Sequence, residues 1–408
     1  MLIKRNEYLK QIRKFYDSNL IKVLTGIRRC GKSILLTQIE EEIKSFYHVS
    51  DSHLIYINFE DITFSKLNNS EKLNNYIINN ITDGNKYYFF LDEIQHVKDF
   101  EKVLASLKAT KNVSIFVTGS NSNLLSGHLA TLLVGRCKEF RIMPFTYNEM
   151  IFFYQENRLK LPDKPFLNYL RFGGMPQRFD YDTEENIKAY LKDIFYGIIN
   201  KDICTTKSKI NKEVFLTLAK YIISNCSKEF SADSIVSFYN SNNNFEKIYR
   251  TSIYRYLDKL QQACLIHRVS RYDVATKRTL KSIEKQFVID NGFLLAANES
   301  NKISPSHSLE NLIYNELIYR GYDVRIGKTY KGEIDFVAMK DSKKCFIQVT
   351  YLLTDDETID REFSAFNSVR DSSPKYVMSL DEIDMSRDGI THLNIEDWLL
   401  HKKELILF

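Results

Sequence analysis

The sequence predicts an α/β fold: a parallel sheet built around a phosphate-binding loop, followed by a helical lid and then two further domains. Three observations carry that expectation. Short, nearly continuous apolar runs alternate with amphipathic stretches through the first 144 residues, the pattern of strands covered on both faces by crossover helices. A glycine-rich motif sits directly after the first of those runs, where a strand hands over to a helix. Beyond Pro144 the apolar period becomes helical.

A chain of 408 residues is too long for one core and predicts two or three domains. Apolar residues make up 44% and aromatic residues 13%, with 6 Pro and 14 Gly, so an ordered chain without low-complexity tracts is expected. No run of about 18 apolar residues occurs, and Met1 to Glu7 lacks the apolar centre of a signal peptide. The expectation is a cytoplasmic protein with no membrane partner. The six cysteines are scattered without a C-x-x-C pair, which argues against a zinc site or a disulfide framework. The formal charge of +5 permits nucleic-acid contact without requiring it, so the placement of the basic residues matters more.

The strand candidates of the first domain, residues 1–144, are Leu20 to Thr25, Leu54 to Phe59, Tyr87 to Leu91, Ser114 to Thr118 and Glu139 to Ile142. Residues 145–208 read as a helical lid, through Met150 to Tyr154, Phe166 to Leu170 and Ile187 to Ile199. Residues 209–287 hold three helix-sized segments and a strand-like pair, a plan that resembles a winged helix. Residues 288–408 return to mixed α/β, with a helix at Leu309 to Arg320 and strands near Glu333 to Ala338 and Cys345 to Tyr351.

Gly26-Ile27-Arg28-Arg29-Cys30-Gly31-Lys32-Ser33 fits G-x-x-x-x-G-K-[ST] at every fixed position. The glycines let the backbone wrap a phosphate. The amides of Gly26 through Ile34 and the following helix N-terminus supply fixed positive potential, and Lys32 adds a full charge. Ser33 offers a hydroxyl to Mg²⁺. About sixty residues later Asp92 and Glu93 close an apolar strand, in the crevice where open α/β sheets bind ligands. Asp92 is the candidate for holding Mg²⁺ through water, and Glu93 the candidate general base. Ser114 to Asn121 is a strand ending in polar residues, of which Ser120 or Asn121 can reach a γ-phosphate or a water.

These motifs resemble the AAA+ superfamily of ATPases, whose strand between the two nucleotide motifs carries a polar residue called sensor one. The similarity is to a widespread prokaryotic group of AAA+ proteins. It runs through Val117 to Ser120, Gly135-Arg136, Pro144-Phe145, Gly173 to Pro176 and Glu333 to Phe336. The resemblance implies ATP as the nucleotide; no N-K-x-D guanine-reading motif is found. It implies that Arg136 serves as a finger toward a γ-phosphate, that of a neighbouring subunit in a homo-oligomer. It also implies that Gly174-Met175-Pro176 closes over the base and ribose, with Pro176 in the binding set.

In the 209–287 region the longer helix displays Arg255 and Lys259, and the hairpin carries Arg268, Arg271, Lys277, Arg278, Lys281 and Lys285. Of these, Arg255, Lys259, Arg271, Lys277, Arg278 and Lys281 are the candidate DNA contacts. In the last domain Glu310, Glu333-Ile334-Asp335 and Gln348-Val349-Thr350 resemble the PD-(D/E)xK restriction-endonuclease-like fold. That family has an acid where Gln348 stands and a Lys where Thr350 stands, so the resemblance implies the fold without cleavage. The expected function is an ATP-hydrolysing motor or remodeller acting on DNA, a helicase, translocase or branch-migration enzyme. The alternative is a nucleotide-dependent signalling switch in defence or toxin regulation, with slow hydrolysis and an unidentified protein partner.

Overall fold

The computed structural model describes residues 3–120, 135–204, 210–242, 247–298, 304–330 and 332–407. The chain divides into two compact units, Met1–Met143 with Gln262–Cys264, and Pro144–Gln261 with Leu265–Phe408.

The first unit runs α1 (Asn6–Arg13), β1 (Ile21–Thr25), α2 (Lys32–Tyr47), β2 (Leu54–Asn58), α3 (Ser70–Asn80), β3 (Tyr87–Asp92), α4 (Phe100–Thr110), β4 (Val113–Gly119) and β5 (Cys137–Arg141). Its sheet has the order β2-β3-β4-β1-β5, and every neighbouring pair is parallel. Parallel neighbours need crossover connections, and the helices that provide them cover the sheet. β1, β3 and β4 are buried at every position, as their apolar runs require. One core joins Val23, Phe89, Leu91 and Ile115 of the sheet to Leu73 and Ile77 of α3 and to Val103 and Leu107 of α4. The fifth strand starts two residues earlier than its apolar residues suggest, because Lys138 and Glu139 lie on the exposed edge. Within β1 the charged residue Lys22 is completely buried, a feature the near-continuous apolar run conceals.

The second unit begins with α5 (Tyr147–Glu156), α6 (Pro165–Phe172) and α7 (Glu184–Ile198), followed by α8 (Lys212–Ser224), α9 (Ala232–Asn242) and α10 (Arg250–Gln262). Thr146 and Glu149 close α5 with a capping box. The hairpin β6 (Ile266–Asp273) and β7 (Arg278–Val288) comes next. After it come α11 (Asn291–Ala297), α12 (Pro305–Tyr319), β8 (Asp323–Lys328), β9 (Glu333–Lys340), β10 (Lys343–Val349), α13 (Asp356–Ser364), β11 (Lys375–Ser379), β12 (Thr391–Asn394) and α14 (Ile395–Leu399). The hairpin is part of one mixed sheet, β12-β11-β10-β9-β8-β6-β7, joined to β8 through Arg271, Tyr272 and Asp273.

The Gly173-Gly174 turn after α6 is held by a buried carboxylate. Asp290 accepts the Gly174 N–H at 2.6 Å and the Gly292 N–H at 2.8 Å. Burial pushes its pKa up to about 6, against the pull of those two amides and of Arg178. Gly173 has φ +69°, and a Cβ there would stand 1.8 Å from Asp290 Oδ1. Gly173→Ala is therefore expected to cost about 3 kcal/mol of stability, through positive-φ strain plus displacement of the carboxylate. Urea unfolding of the variant beside the parent measures it; an unchanged midpoint would refute the account.

Candidate functional site

The phosphate-binding loop is shaped by backbone that only glycine tolerates at its start. Gly26 has φ +151°, and a Cβ would lie 2.3 Å from the Ile142 carbonyl oxygen. Gly31, at φ +96°, precedes α2 and offers no side-chain cap, so the first-turn amides remain available to an anion. Behind the loop the buried Arg5 donates from Nη1 to the carbonyls of Met143 at 2.8 Å and Cys30 at 3.3 Å. Cys30 is wholly buried, and burial pushes its thiol pKa up; this is a packing role. Ile27 is buried, Arg28 half-buried beside Glu60 at 3.5 Å, Arg29 exposed, Ser33 half-buried and Ile34 exposed.

Lys32 is buried and turns into the loop. Its ammonium donates to the Gly26 and Ile27 carbonyls at 3.1 Å each and lies 3.9 Å from Glu93 Oε1. The end of β3 brings the acids to it. Asp92 is 2% exposed and accepts hydrogen bonds from the Thr118 hydroxyl at Oδ1 and from the Tyr56 hydroxyl, at 3.2 Å, on Oδ2. Burial, then the Asp92 charge, pushes the Tyr56 hydroxyl pKa upward, so it stays a donor. Glu93 sits at φ +55° and donates its N–H to Thr118 Oγ1 at 2.9 Å. Its Oε2 accepts from the Gln95 amide, which also lies 3.4 Å from Ser120 Oγ.

Thus Lys32 and Glu93 converge in the first unit, and Thr118 ties Glu93 to Asp92. Ser120 is buried at the end of β4 and reaches them only through Gln95. Asn121 lies outside the described residues. Thr118, Tyr56 and Gln95 were missed from sequence. Thr118 lies in β4 two residues before Ser120, which directly follows the strand's last residue, so the alternation that gives those two residues one face is the available signal. Arg136 is exposed in the turn before β5, where its carbonyl accepts the Ile21 N–H at 2.8 Å. Pro176 belongs to the second unit and opens a 3₁₀ turn, Pro176–Asp180. Ser33 and Asp92 supply a hydroxyl and a carboxylate, hard oxygen donors of the kind Mg²⁺ takes alongside phosphate oxygens and water. Among the described residues no cluster of three or more His, Cys, Asp or Glu suited to a metal is found.

The proposed DNA contacts divide in the second unit. Arg255, Lys277 and Arg278 are exposed and Lys259 is half-buried, while the Lys281 side chain lies outside the described residues. Arg271 departs from the expectation: it is 6% exposed and its guanidinium is paired with Glu229 and, at 2.7 Å, with Glu333. Lys285 is also buried, paired with Glu333 and 3.7 Å from Glu310. Arg268 meets Glu284 at 2.6 Å and Asp258 at 2.7 Å. Three of the hairpin's six cations are thus held by this unit's own carboxylates.

The acids of the C-terminal sheet gather around Lys285. Burial alone would lower the Lys285 pKa, yet Glu310, Glu333 and Asp335 hold it above its ordinary value. Burial raises Glu310 despite the attraction of Lys285, and raises Asp335, with Glu310 adding repulsion. Gln348 Oε1 accepts the Asp335 N–H at 3.1 Å, and Asp335 Oδ2 accepts the Val349 N–H at 2.8 Å. Both groups therefore serve the β9–β10 pairing.

The sequence profile of the AAA domain matches residues 18–151, and that of a domain of unknown function (DUF8612) matches residues 163–304. An uncharacterized protein of Haemophilus influenzae is 30% identical over 404 residues, covering 98% of this chain and 99% of that protein. One of Methanocaldococcus jannaschii is 30% identical over 391 residues, 93% of this chain and 85% of that protein. Among solved structures, the Aeropyrum pernix ORC2 protein has a TM-score of 0.39 at 11% identity, covering 77% of this chain and 92% of that one. DnaA from Aquifex aeolicus has 0.34 at 12% identity, with 64% and 89% covered. No helix among the described residues is long and apolar enough to cross a membrane. With its loop, its acid-tipped strand and a full-length relative at this identity, the chain belongs to the AAA-domain family of P-loop ATPases.

Proposed function

We propose that this chain binds and hydrolyses ATP with Mg²⁺ and couples hydrolysis to work on DNA, as an oligomeric motor or remodeller. The observation that carries the reading is the convergence of Lys32, at the start of α2, with Asp92, Glu93 and Thr118 at the ends of the adjacent parallel strands β3 and β4. In it the loop amides and Lys32 receive the outer phosphates, Lys32 exchanging its carbonyl partners for phosphate oxygens of greater charge. Ser33 and Asp92 would hold Mg²⁺, which would supply charge neutralisation for the transferring phosphoryl group. Thr118 and Tyr56 keep the Asp92 carboxylate oriented. Glu93 accepts the proton of the attacking water, its backbone pinned by Thr118. Ser120 contacts the γ-phosphate or that water, and Arg136, exposed, reaches the nucleotide of a neighbouring copy.

Exposed Arg255, Lys277 and Arg278, with half-buried Lys259, form the DNA face. Arg271 is subtracted from it by its internal partners Glu229 and Glu333. Three or four phosphate contacts imply a slope of log affinity against log salt of about −3. The C-terminal acids do not cleave DNA: Lys285 neutralises them from within, and Gln348 and Thr350 lack the charges phosphodiester cleavage needs.

The test is phosphate release from ATP by the parent and Glu93→Gln, with no DNA and with single-stranded, duplex and four-way-junction DNA at two salt concentrations. The parent should be stimulated by one DNA form, and Glu93→Gln should lose at least about 100-fold in turnover while still binding ATP. A slow rate indifferent to every DNA would instead favour a nucleotide-dependent switch with a protein partner.

A further inference from the structure

Glu93 is held from two sides by groups of different character. On one side Lys32 Nζ lies 3.9 Å from Oε1. On the other the Gln95 amide donates to Oε2 and lies 3.4 Å from the Ser120 hydroxyl oxygen. The local chain explains the reach of Gln95. Glu93 takes a left-handed conformation, and Ile94–His96 forms a single 3₁₀ turn, so the chain folds back and residue 95 returns its side chain to residue 93. Ile94 anchors that turn, fully buried in the core beside Leu91 and Val97. The Glu93 N–H is separately fixed by Thr118. Backbone and carboxylate are therefore restrained by different residues.

A carboxylate that must take a proton from a water needs one oxygen directed at it, and free rotation about the terminal torsion wastes most orientations. A neutral amide restrains rotation without adding a competing positive charge, which a lysine or arginine in that place would bring. We propose that Gln95 is the positioning residue for Glu93: its amide, lying between Glu93 Oε2 and Ser120 just past β4, holds the carboxylate with Oε1 turned to the Lys32 side, where the terminal phosphate and water would meet. This rests on the hydrolytic reading of the site.

Steady-state ATP hydrolysis by the full chain tests it, in the parent and in Gln95→Ala, Gln95→Glu and Glu93→Gln, across pH 5.5 to 9. Gln95→Ala should lower kcat about 10-fold with KM within about twofold, the signature of a contact that matters in the transition state rather than in binding. Gln95→Glu places a second carboxylate against the first and repels it from its position, so kcat should fall at least as far as in Gln95→Ala with KM again within about twofold. Thermal unfolding of both variants should match the parent within about 2 °C, since the Gln95 side chain is exposed. Parent turnover abolished by Glu93→Gln but unchanged in Gln95→Ala would overturn the positioning role alone. So would a loss in kcat accompanied by a loss of thermal stability, which marks a structural contact, or a Gln95→Glu kcat equal to that of the parent. A parent that turns over no ATP, or Glu93→Gln as active as the parent, would remove the hydrolytic reading and this role with it.

Discussion

Lys285→Met should destabilise the second unit by about 3–5 kcal/mol, the usual result of removing one partner from a buried ion cluster. The ammonium is 5% exposed and stands among Glu310, Glu333 and Asp335. Methionine fills similar space but leaves those carboxyls to be neutralised by protons. Carboxyls whose folded pKa is raised stabilise the native state fully below their unfolded pKa and lose that contribution as pH rises through the folded value. The variant's deficit should accordingly be larger at pH 8 than at pH 5. Adding Glu310→Gln should recover part of it, since the double variant buries one acid fewer. Trp398, the single tryptophan of the chain, is fully buried in the same unit, so its fluorescence in urea follows the transition. A Lys285→Met midpoint equal to the parent at both pH values would show that the cluster is not held by its cation.

Lys22→Met should act in the opposite direction and stabilise the first unit, by about 3 kcal/mol at pH 7. Lys22 is 0% exposed in the central strand β1. Its Nζ donates to Ser114 Oγ at 2.6 Å and lies 4.3 Å from the centre of the Phe116 ring. Burial first, then repulsion from Lys108 and Lys86, lowers its pKa to about 6, against the weaker attraction of Asp17. The unfolded chain therefore binds a proton that the folded chain lacks between about pH 6 and the ordinary lysine value of 10.5. By linkage the parent gains stability as pH rises through that window, by up to about 1.4 kcal/mol per unit from this group. Methionine carries no proton in either state, so its advantage should be greatest near pH 6 and shrink toward pH 10. Unfolding followed by circular dichroism at pH 6, 7.5 and 9 gives that difference directly. A constant difference across the range, or a destabilised variant, would mean that Lys22 is charged in the fold and stabilised by contacts stronger than its burial.

The sequence by itself determined the phosphate loop, the acid-tipped third strand and the parallel sheet of the first unit. Each is a local property: Gly26 to Ser33 are consecutive, and Asp92 and Glu93 end a run whose apolar continuity already requires cover on both faces. Tertiary structure alone decided which charges face solvent. Arg271 and Lys277 look alike in a basic hairpin, but Arg271 meets Glu229 and Glu333, 42 and 62 residues away, and Lys277 is exposed. Lys22 finds Ser114 at a separation of 92 residues, and Thr118 finds Asp92 at 26. The physical reason is that an ionic or polar side chain takes its meaning from what replaces water around it. That replacement is supplied by strands and helices distant in sequence, whose register no local pattern encodes.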